Sequence, residues 1–289
     1  MSRTTGSRRA TARRALRGSP WRWVVLAAVG VGALLTAAPF LLLVLNAFKS
    51  SSDYSQNGPL AWPTSFSLEA FEGYLARVDF PLALWNSVTI SVVVAFLGVT
   101  LGLLAAYALG IGRVRGNTAV VAVLLLATML PHEALIYPLF YGAQALGLLN
   151  SVWSVVIVFV VLQGAFATYL LSSVMSTVPR SLLEAAALDG ANRRQVLWRV
   201  VAPILLPTMS VLVVFFFIWT WNEFYIPLVL LADPASQTVP IALSTLRGQH
   251  SIDITVVNAG SLLSLIPTVI FFVLFQRTLS RGVTAGAIK

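Results

Sequence analysis

The chain of 289 residues contains no cysteine, two lysines and two histidines. Without cysteine it can form no disulfide, no thiolate metal site and no cysteine nucleophile. A P-loop ATPase places a lysine on the phosphates directly after a glycine-rich segment. Neither Lys49 nor Lys289 follows such a segment. We therefore predict that ATP and Mg²⁺ do not bind to this chain.

Catalytic side chains are equally scarce. His132 and His250 have no metal-ligand spacing with acidic residues, and no nucleophile has a neighbouring base. The sequence therefore predicts no metal site, no cofactor, no catalytic residue and no enzymatic activity.

Charged residues make up 10% of the chain and hydrophobic residues 58%, whereas a soluble domain carries about 25% charged residues. The apolar residues are gathered into six runs, each near or above the length of about 20 residues that a membrane-spanning helix needs. Open strands are excluded because lipid cannot satisfy their edge amides. The predicted fold is therefore all-α and polytopic. Its six transmembrane helices are expected at residues 23–45, 87–110, 118–137, 152–171, 204–231 and 254–275.

The distribution of basic residues predicts the orientation. With the N-terminus inside, 16 of the 19 lysines and arginines fall in cytoplasmic segments, which is a strong positive-inside bias. Both termini are then cytoplasmic, and the pI of about 10.6 needs no nucleic-acid partner to explain it. The first apolar run exceeds the 7–15 residues of the hydrophobic region of a signal peptide. We therefore predict a basic arm at 1–22 and a single transmembrane domain at 23–289.

One charged segment, residues 176–203, separates the fourth and fifth runs. Ser181 and Glu184 have the spacing of a capping box, and Gly190 is placed to end a short helix. Leu183 and Ala186 would share one apolar face of that helix. These features alone fit an ordinary interfacial helix whose arginines reach lipid phosphates.

The order Glu184-Ala185-Ala186, then Gly190, then Pro203 resembles the EAA signature of membrane subunits of ATP-binding-cassette importers. The resemblance implies a cytoplasmic coupling helix that inserts into an ATP-hydrolysing subunit. It assigns this coupling role to Glu184, Ala185, Ala186, Gly190, Arg193 and Arg194.

Two further segments narrow the resemblance. The sequence WTWNEFYIPLVLL from Trp219 and the ending FQRTLSRGVTAGAIK from Phe275 are similar to the carbohydrate branch, of maltose-importer type. The resemblance implies a sugar or oligosaccharide importer in the bacterial plasma membrane, in which this chain forms half of the pathway. The implied partners are a second homologous permease, two ATPase subunits that bind ATP and Mg²⁺, and an external solute-binding protein.

A polar pair near the end of the fifth run is the candidate substrate site. Intramembrane acids are functional candidates by default, and Glu223 follows Asn222 among the aromatic side chains of Trp221 and Tyr225. A sugar-lining role and an interfacial aromatic belt fit these four residues equally well. For His132 and Glu133 a position near the headgroups is the favoured interpretation.

The outer loops are candidate docking sites for the external protein. The resemblance places Arg247, Gly248, Gln249 and His250 on a loop that enters the binding protein and displaces sugar, although composition alone fits a solvated turn. The loop of residues 46–86 fits a solvated connection and a docking surface equally well.

Other functions remain open from the residues alone. A secondary transporter or channel acting alone usually carries midplane charges, in which these runs are poor. A permease for a non-sugar solute such as a glycerophosphodiester would share the same coupling motif. A membrane scaffold would need none of these motifs.

Overall fold

The computed structural model describes residues 20–111, 116–246 and 253–287. These ranges contain helices and no β-strand, which confirms the predicted all-α class. The helices are α1 (Pro20–Ala47), α2 (Ser51–Asn57), α3 (Glu69–Arg77), α4 (Phe80–Gly110), α5 (Asn117–Thr128), α6 (Ile136–Ala145), α7 (Val152–Met175), α8 (Arg180–Leu188), α9 (Arg193–Asn222), α10 (Tyr225–Leu230), α11 (Val239–Thr245) and α12 (Ile254–Ala287).

Five of these helices, α1, α4, α7, α9 and α12, are long and apolar enough to cross a membrane. The sixth candidate is a bent pair, formed by α5 and the helical segment His132–Ala145, with an angle of 94° between them. The predicted count of six is confirmed when this pair is taken as one span. The short helix α8 lies between the fourth and fifth spans, as expected from the charged segment, and its cytoplasmic location stays a prediction.

The third span was expected at 118–137, and in the structure the helix is broken within this range. Helix α5 ends at Thr128, and a 3₁₀ turn begins at His132. Between them Pro131 has an extended backbone (ψ 131°), and proline lacks the amide that would continue the helix. The chain therefore turns sharply inside an apolar run whose composition gave no sign of the angle.

The fifth span was also placed wrongly. Its helix was expected at 204–231, but α9 starts eleven residues earlier at Arg193 and ends at Asn222. Glu223 is extended (ψ 134°), and its Oε1 accepts a hydrogen bond from the Tyr225 amide at 3.1 Å. The helix therefore stops at Glu223 and restarts as α10.

Polar contacts explain why α4 begins at Phe80 and not near residue 87 as predicted. The Asp79 side chain accepts a hydrogen bond from the Leu82 amide at 3.1 Å, which caps the helix. Asn86 is 8% exposed and donates to the carbonyls of Ala235 and Gln237, each at 3.1 Å. Its amide is thus satisfied inside the protein, so a polar residue is compatible with the first turns of this helix.

The chain divides into two compact units. The larger unit, Leu75–Ile252 with Leu263–Lys289, is organised around α4, α7 and α9, and its core residues include Leu103, Leu171 and Leu205. Helices α4 and α7 meet at a small-residue contact, where a Cβ built on Gly102 would lie 2.4 Å from the Ala167 Cβ. Gly98 and Gly102 form a GxxxG motif in α4, and Gly102 allows close packing of two helices within the subunit.

The smaller unit contains the residues up to Tyr74 and Asp253–Leu262. Ser51 at the start of α2 donates a hydrogen bond to Asp253 Oδ2. Asp253 Oδ1 in turn accepts from the amide of Thr255 at 3.1 Å and from its hydroxyl at 2.7 Å. Lys49 is fully buried and donates to the Gly58 carbonyl at 2.8 Å. The hydrogen bond between Ser51 and Asp253 links the segment after the first span to the start of the last one.

Candidate coupling loop and membrane cavity

Helix α8, the predicted coupling helix, begins after Pro179. Proline presets the backbone at a helix start but offers no capping side chain, and no side-chain hydrogen bond caps this end. Ser181, expected as the N-cap, instead lies inside the first turn. The capping box expected between Ser181 and Glu184 is therefore absent from this segment.

The end of α8 is fixed by a Schellman motif. The Ala191 amide donates to the Ala186 carbonyl at 3.0 Å, and the Gly190 amide donates to the Ala187 carbonyl at 3.1 Å. Gly190 has a φ of +77°, a left-handed conformation that glycine adopts without steric cost. The sequence interpretation of Gly190 as the residue that ends the helix is consistent with this geometry.

A second cap and a tyrosine connect the loop to the fifth span. Asn192 and Gln195 form a reciprocal capping box, with hydrogen bonds of 2.9 and 2.8 Å. The Tyr107 hydroxyl of α4 donates to the Arg193 carbonyl at 2.9 Å. Directly after this cap, Val196–Val201 form a π-helical turn, a local irregularity that is frequent at functional sites. The loop is thus held in a defined geometry at the base of α9.

Helix α8 has two different faces. Leu183 and Ala186 are half-buried and pack on the core of the larger unit. On the outer side Leu182 is 45% exposed and Leu188 is 89% exposed, and Ala185 between them is also exposed. We call Leu182, Ala185 and Leu188 the outer face. Of the predicted coupling residues, Glu184, Ala185, Gly190, Arg193 and Arg194 are exposed, whereas Ala186 belongs to the inner face.

A cavity of about 280 Å³ lies in the larger unit, beside the break in the third span and the C-terminal end of α9. The break contributes Thr128 and His132 to its wall, and Glu223, which follows the last residue of α9, also lines it. Its aromatic walls include Phe159, Phe166 and Trp219, and α7 contributes Gln163. Irregular backbone within a membrane protein is tolerated where it lines a cavity or is buried in protein, and the break between α5 and His132 lines this cavity.

Gln163 is the most buried polar residue of this wall. It is 5% exposed, and its Nε2 donates to the Thr220 hydroxyl at 2.9 Å. Its Oε1 has no hydrogen-bond partner within the described residues. A buried acceptor without a partner is costly, so the environment of Oε1 is unfavourable for an amide oxygen.

The four predicted substrate residues do not stay together. Glu223 lines the cavity, but Trp221 is 5% exposed and stacks on Phe217 at 5.9 Å. The Asn222 side chain donates to the Ile218 carbonyl at 2.7 Å, and Tyr225 is 53% exposed. The predicted binding-protein loop, Arg247, Gly248, Gln249 and His250, lies outside the described residues.

Gln163, which lines the cavity, was not among the residues that the sequence singled out. It is the sole amide side chain in the apolar helix α7, and that isolation was the available signal. His132, for which a position near the headgroups was favoured, packs its ring edge-on against Phe159 with 6.1 Å between centroids. In the part of the chain that the structure describes, no group of three His, Asp or Glu side chains could hold a metal ion.

Comparison with known proteins decides the family. Residues 98–284 match the model of the binding-protein-dependent transport system inner membrane component. The chain belongs to this family. It is accordingly a multi-pass protein of the plasma membrane and a permease subunit whose partners are a solute-binding protein and an ATPase.

Relatives match over nearly the whole chain. The trehalose transport system permease protein SugB of Mycobacterium tuberculosis is 30% identical, over 92% of this chain and 97% of that protein. The glucose import system permease protein GlcU of Saccharolobus solfataricus is 30% identical, over 89% of this chain and 92% of its own length. The fold matches a chain of a bacterial ABC transporter that imports the acidic polysaccharide alginate. The TM-score is 0.75 at 22% identity, with 96% of this chain and 99% of that chain covered.

Proposed function

We propose that this chain is one of two permease subunits of an ATP-driven importer of sugars or oligosaccharides. The relatives that support this proposal carry trehalose and glucose in their names. The chain supplies half of the translocation pathway and performs no covalent chemistry. ATP and Mg²⁺ bind to the partner ATPase subunits, whose closure moves the spans.

The outer face of α8 is the observation that carries the coupling role. Leu188 is 89% exposed although leucine side chains favour burial. The inner face and the Tyr107 anchor hold the helix so that Leu188 points away from the core of its own unit. A short apolar helix edge held in this way suits insertion into a groove of a partner. The groove proposed here belongs to the ATPase subunit.

The connection between α8 and α9 would transmit the closure of the ATPase subunits to the fifth span. The Schellman motif and the Asn192 capping box fix the loop, and the π turn at Val196–Val201 joins it to the fifth span. Displacement of α8 by a closing ATPase would therefore reach α9 through a hydrogen-bonded connection. At its other end α9 contributes Trp219 to the cavity.

The proposed coupling contact is tested with Leu188→Ser in the complete assembly. Full burial of a leucine side chain contributes about 1.5–3 kcal/mol, so its loss weakens the contact about tenfold or more. We expect the stimulation of ATPase activity by sugar-loaded binding protein to fall by a similar factor. Leu146→Ser is the matched control, because Leu146 is 74% exposed at the end of α6, outside the coupling loop. Equal stimulation in Leu188→Ser and in the control would contradict the coupling role.

A further inference from the structure

The segment between α2 and α3 carries apolar side chains that the fold leaves uncovered. Residues 58–68 contain no charged side chain, and four large apolar residues among them are 61–78% exposed: Leu60, Trp62, Phe66 and Leu68. Exposed apolar side chains grouped in this way mark a contact with another protein or with a membrane. We propose that residues 58–68, the interfacial segment, insert these side chains into the headgroup region of the bilayer at the C-terminal end of α1.

The first observation is that the smaller unit lies where two spans meet the bilayer surface. Ala47, the last residue of α1, and Ala259, in the second turn of α12, are both buried in one small core with Ala70. The span Trp21–Ala47 is about 40 Å long. The hydrocarbon core of a bilayer is about 30 Å thick, and the bilayer with its headgroups is about 40–45 Å thick. A centred α1 therefore ends in the headgroup layer.

The second observation is that the interfacial segment folds back onto this end of α1. Three hydrogen bonds join it to residues 48–53: Lys49 Nζ to the Gly58 carbonyl at 2.8 Å, the Thr64 amide to Asp53 Oδ2 at 3.1 Å, and the Ser67 amide to the Phe48 carbonyl at 2.9 Å. The Phe66 ring also packs edge-on against Phe48, with 6.2 Å between ring centroids. These contacts hold the segment beside the end of the first span, at the level of the headgroups.

The third observation is an asymmetry in the aromatic residues of α1. Tryptophan and tyrosine are enriched at both membrane interfaces. Trp21 and Trp23 lie at the N-terminal end of α1 and are exposed, but residues 41–47 at its other end contain neither tryptophan nor tyrosine. Trp62 belongs to the segment that folds back onto this second end, so it supplies the interfacial tryptophan that α1 lacks there.

Charge favours a lipid surface over a protein partner. A protein-binding surface surrounds its apolar centre with a polar rim, whereas the interfacial segment is uncharged throughout its eleven residues. Lys49 and Asp53, to which it is hydrogen-bonded, are 0% and 6% exposed. Apolar side chains of interfacial segments enter the boundary between headgroups and acyl chains by about 5–10 Å. Because the segment has no basic residue, its insertion does not depend on anionic lipid, unlike that of a polybasic segment.

The test uses spin labelling of the complete transporter in phosphatidylcholine nanodiscs, with partner subunits free of cysteine. This chain has no cysteine, so Ser65→Cys introduces a single label inside the segment without removing Trp62 or Phe66. Molecular oxygen concentrates in lipid, whereas nickel ethylenediamine diacetate stays in water, so their collision rates with the label distinguish the two environments. We expect oxygen access to exceed nickel access at Ser65→Cys. The reverse is expected at Gln56→Cys, an exposed polar position in α2.

A substitution in the segment tests whether Trp62 anchors it. Loss of a large apolar side chain in Trp62→Ser is expected to shift the equilibrium of the segment between lipid and water by about tenfold or more. Oxygen access at Ser65→Cys should then fall, and nickel access should rise. The matched control is Trp153→Ser, because Trp153 is 52% exposed at the start of α7, outside the segment, and it should leave both rates unchanged. Addition of phosphatidylglycerol should also leave both rates unchanged.

Four results would overturn the proposal. Nickel access above oxygen access in the wild type would mean that the segment is solvated. Low access of both reagents would mean that the partner permease or the binding protein covers it. Equal rates in Trp62→Ser and Trp153→Ser would refute the anchoring role of Trp62, and insertion only in the presence of phosphatidylglycerol would contradict the apolar mechanism. Each measurement reports contact with lipid and not transport, so these outcomes are independent of the sugar that the assembly imports.

Discussion

The contact between α4 and α7 gives a prediction in which two glycines of one motif behave differently. A Cβ at Gly102 would lie 2.4 Å from the Ala167 Cβ and 3.1 Å from backbone atoms of Ala167 and Thr168. Carbon atoms pack best about 3.5–4.0 Å apart, so Gly102→Ala forces the two helices to separate. At Gly98 the nearest atom is a Phe216 ring carbon at 3.5 Å, which is an ordinary contact.

The difference in stability between the two variants measures the cost of overpacking between α4 and α7. Both gain about 1 kcal/mol of helix propensity when glycine becomes alanine, but overpacking at Gly102 costs about 1–3 kcal/mol. The backbone of α7 cannot rotate away as a flexible side chain could, so we expect the cost to lie at the upper end of this range. Gly102→Ala should therefore be less stable than Gly98→Ala by about 3 kcal/mol.

Thermal unfolding of the purified subunit in lipid nanodiscs measures this difference. For a chain of this size, about 1 kcal/mol corresponds to about 2–4 °C in Tm, so Gly102→Ala should unfold several degrees below Gly98→Ala. Double substitution of Gly102→Ala with Ala167→Gly removes the closest contact and should recover part of the loss. Equal Tm values for the two single variants would refute the close approach of α4 and α7 at Gly102.

Two further predictions concern the predicted coupling loop and the hydrogen bonds of Asp253 in the smaller unit. A Cβ built on Gly190 meets open space, so the φ of +77° is the main constraint on this position. Asparagine tolerates this backbone conformation, whereas β-branched residues do not. Gly190→Asn should therefore retain more of the ATPase stimulation than Gly190→Val. Equal stimulation in both variants would contradict a conformational role. Burial alone would raise the pKa of Asp253, but hydrogen bonds from Ser51 and Thr255 outweigh it and lower the pKa. Ionised Asp253 thus stabilises the folded state above the ordinary carboxyl pKa of about 3.9. This stabilisation is lost as the pH falls through the lower pKa that Asp253 has in the folded protein. At pH 7 the wild type should have a higher Tm than Asp253→Asn, and this difference in Tm should disappear below about pH 4. Curves of Tm against pH that run parallel for the two proteins would contradict this prediction.

The length of the apolar runs was sufficient to predict the membrane helices. A run of about 20 apolar residues has few stable alternatives to a spanning helix in lipid. The breaks at Pro131 and Glu223 were not predictable in the same way, because proline and glutamate are also tolerated within membrane helices when neighbours satisfy the backbone. The start of α4 was missed because Asn86 looked like a loop residue, and its buried partners Ala235 and Gln237 are about 150 residues away in sequence.

The candidate site was predictable in part. The turn at Gly190 follows from local helix-ending chemistry, whereas the coupling role rested on the family resemblance and not on composition. In the fifth span, Trp219 and Glu223 are four residues apart and reach the same cavity, as the helical repeat allows. Trp221 and Asn222 are rotated away from that direction, so adjacency in sequence grouped residues that the helix separates. The contribution of Gln163 depends on tertiary packing across α7 and α9.

The central claim is that this chain moves a sugar across the membrane only when ATP hydrolysis in partner subunits drives it. The most direct measurement is uptake of labelled trehalose, lactose and glucose into proteoliposomes. These contain this chain alone, or this chain with its partner permease, two ATPase subunits and sugar-loaded binding protein. The account predicts ATP-dependent uptake of a neutral sugar by the complete assembly and none by the chain alone. Sugar uptake by the chain alone, or a complete assembly that hydrolyses ATP without importing any of these sugars, would contradict it.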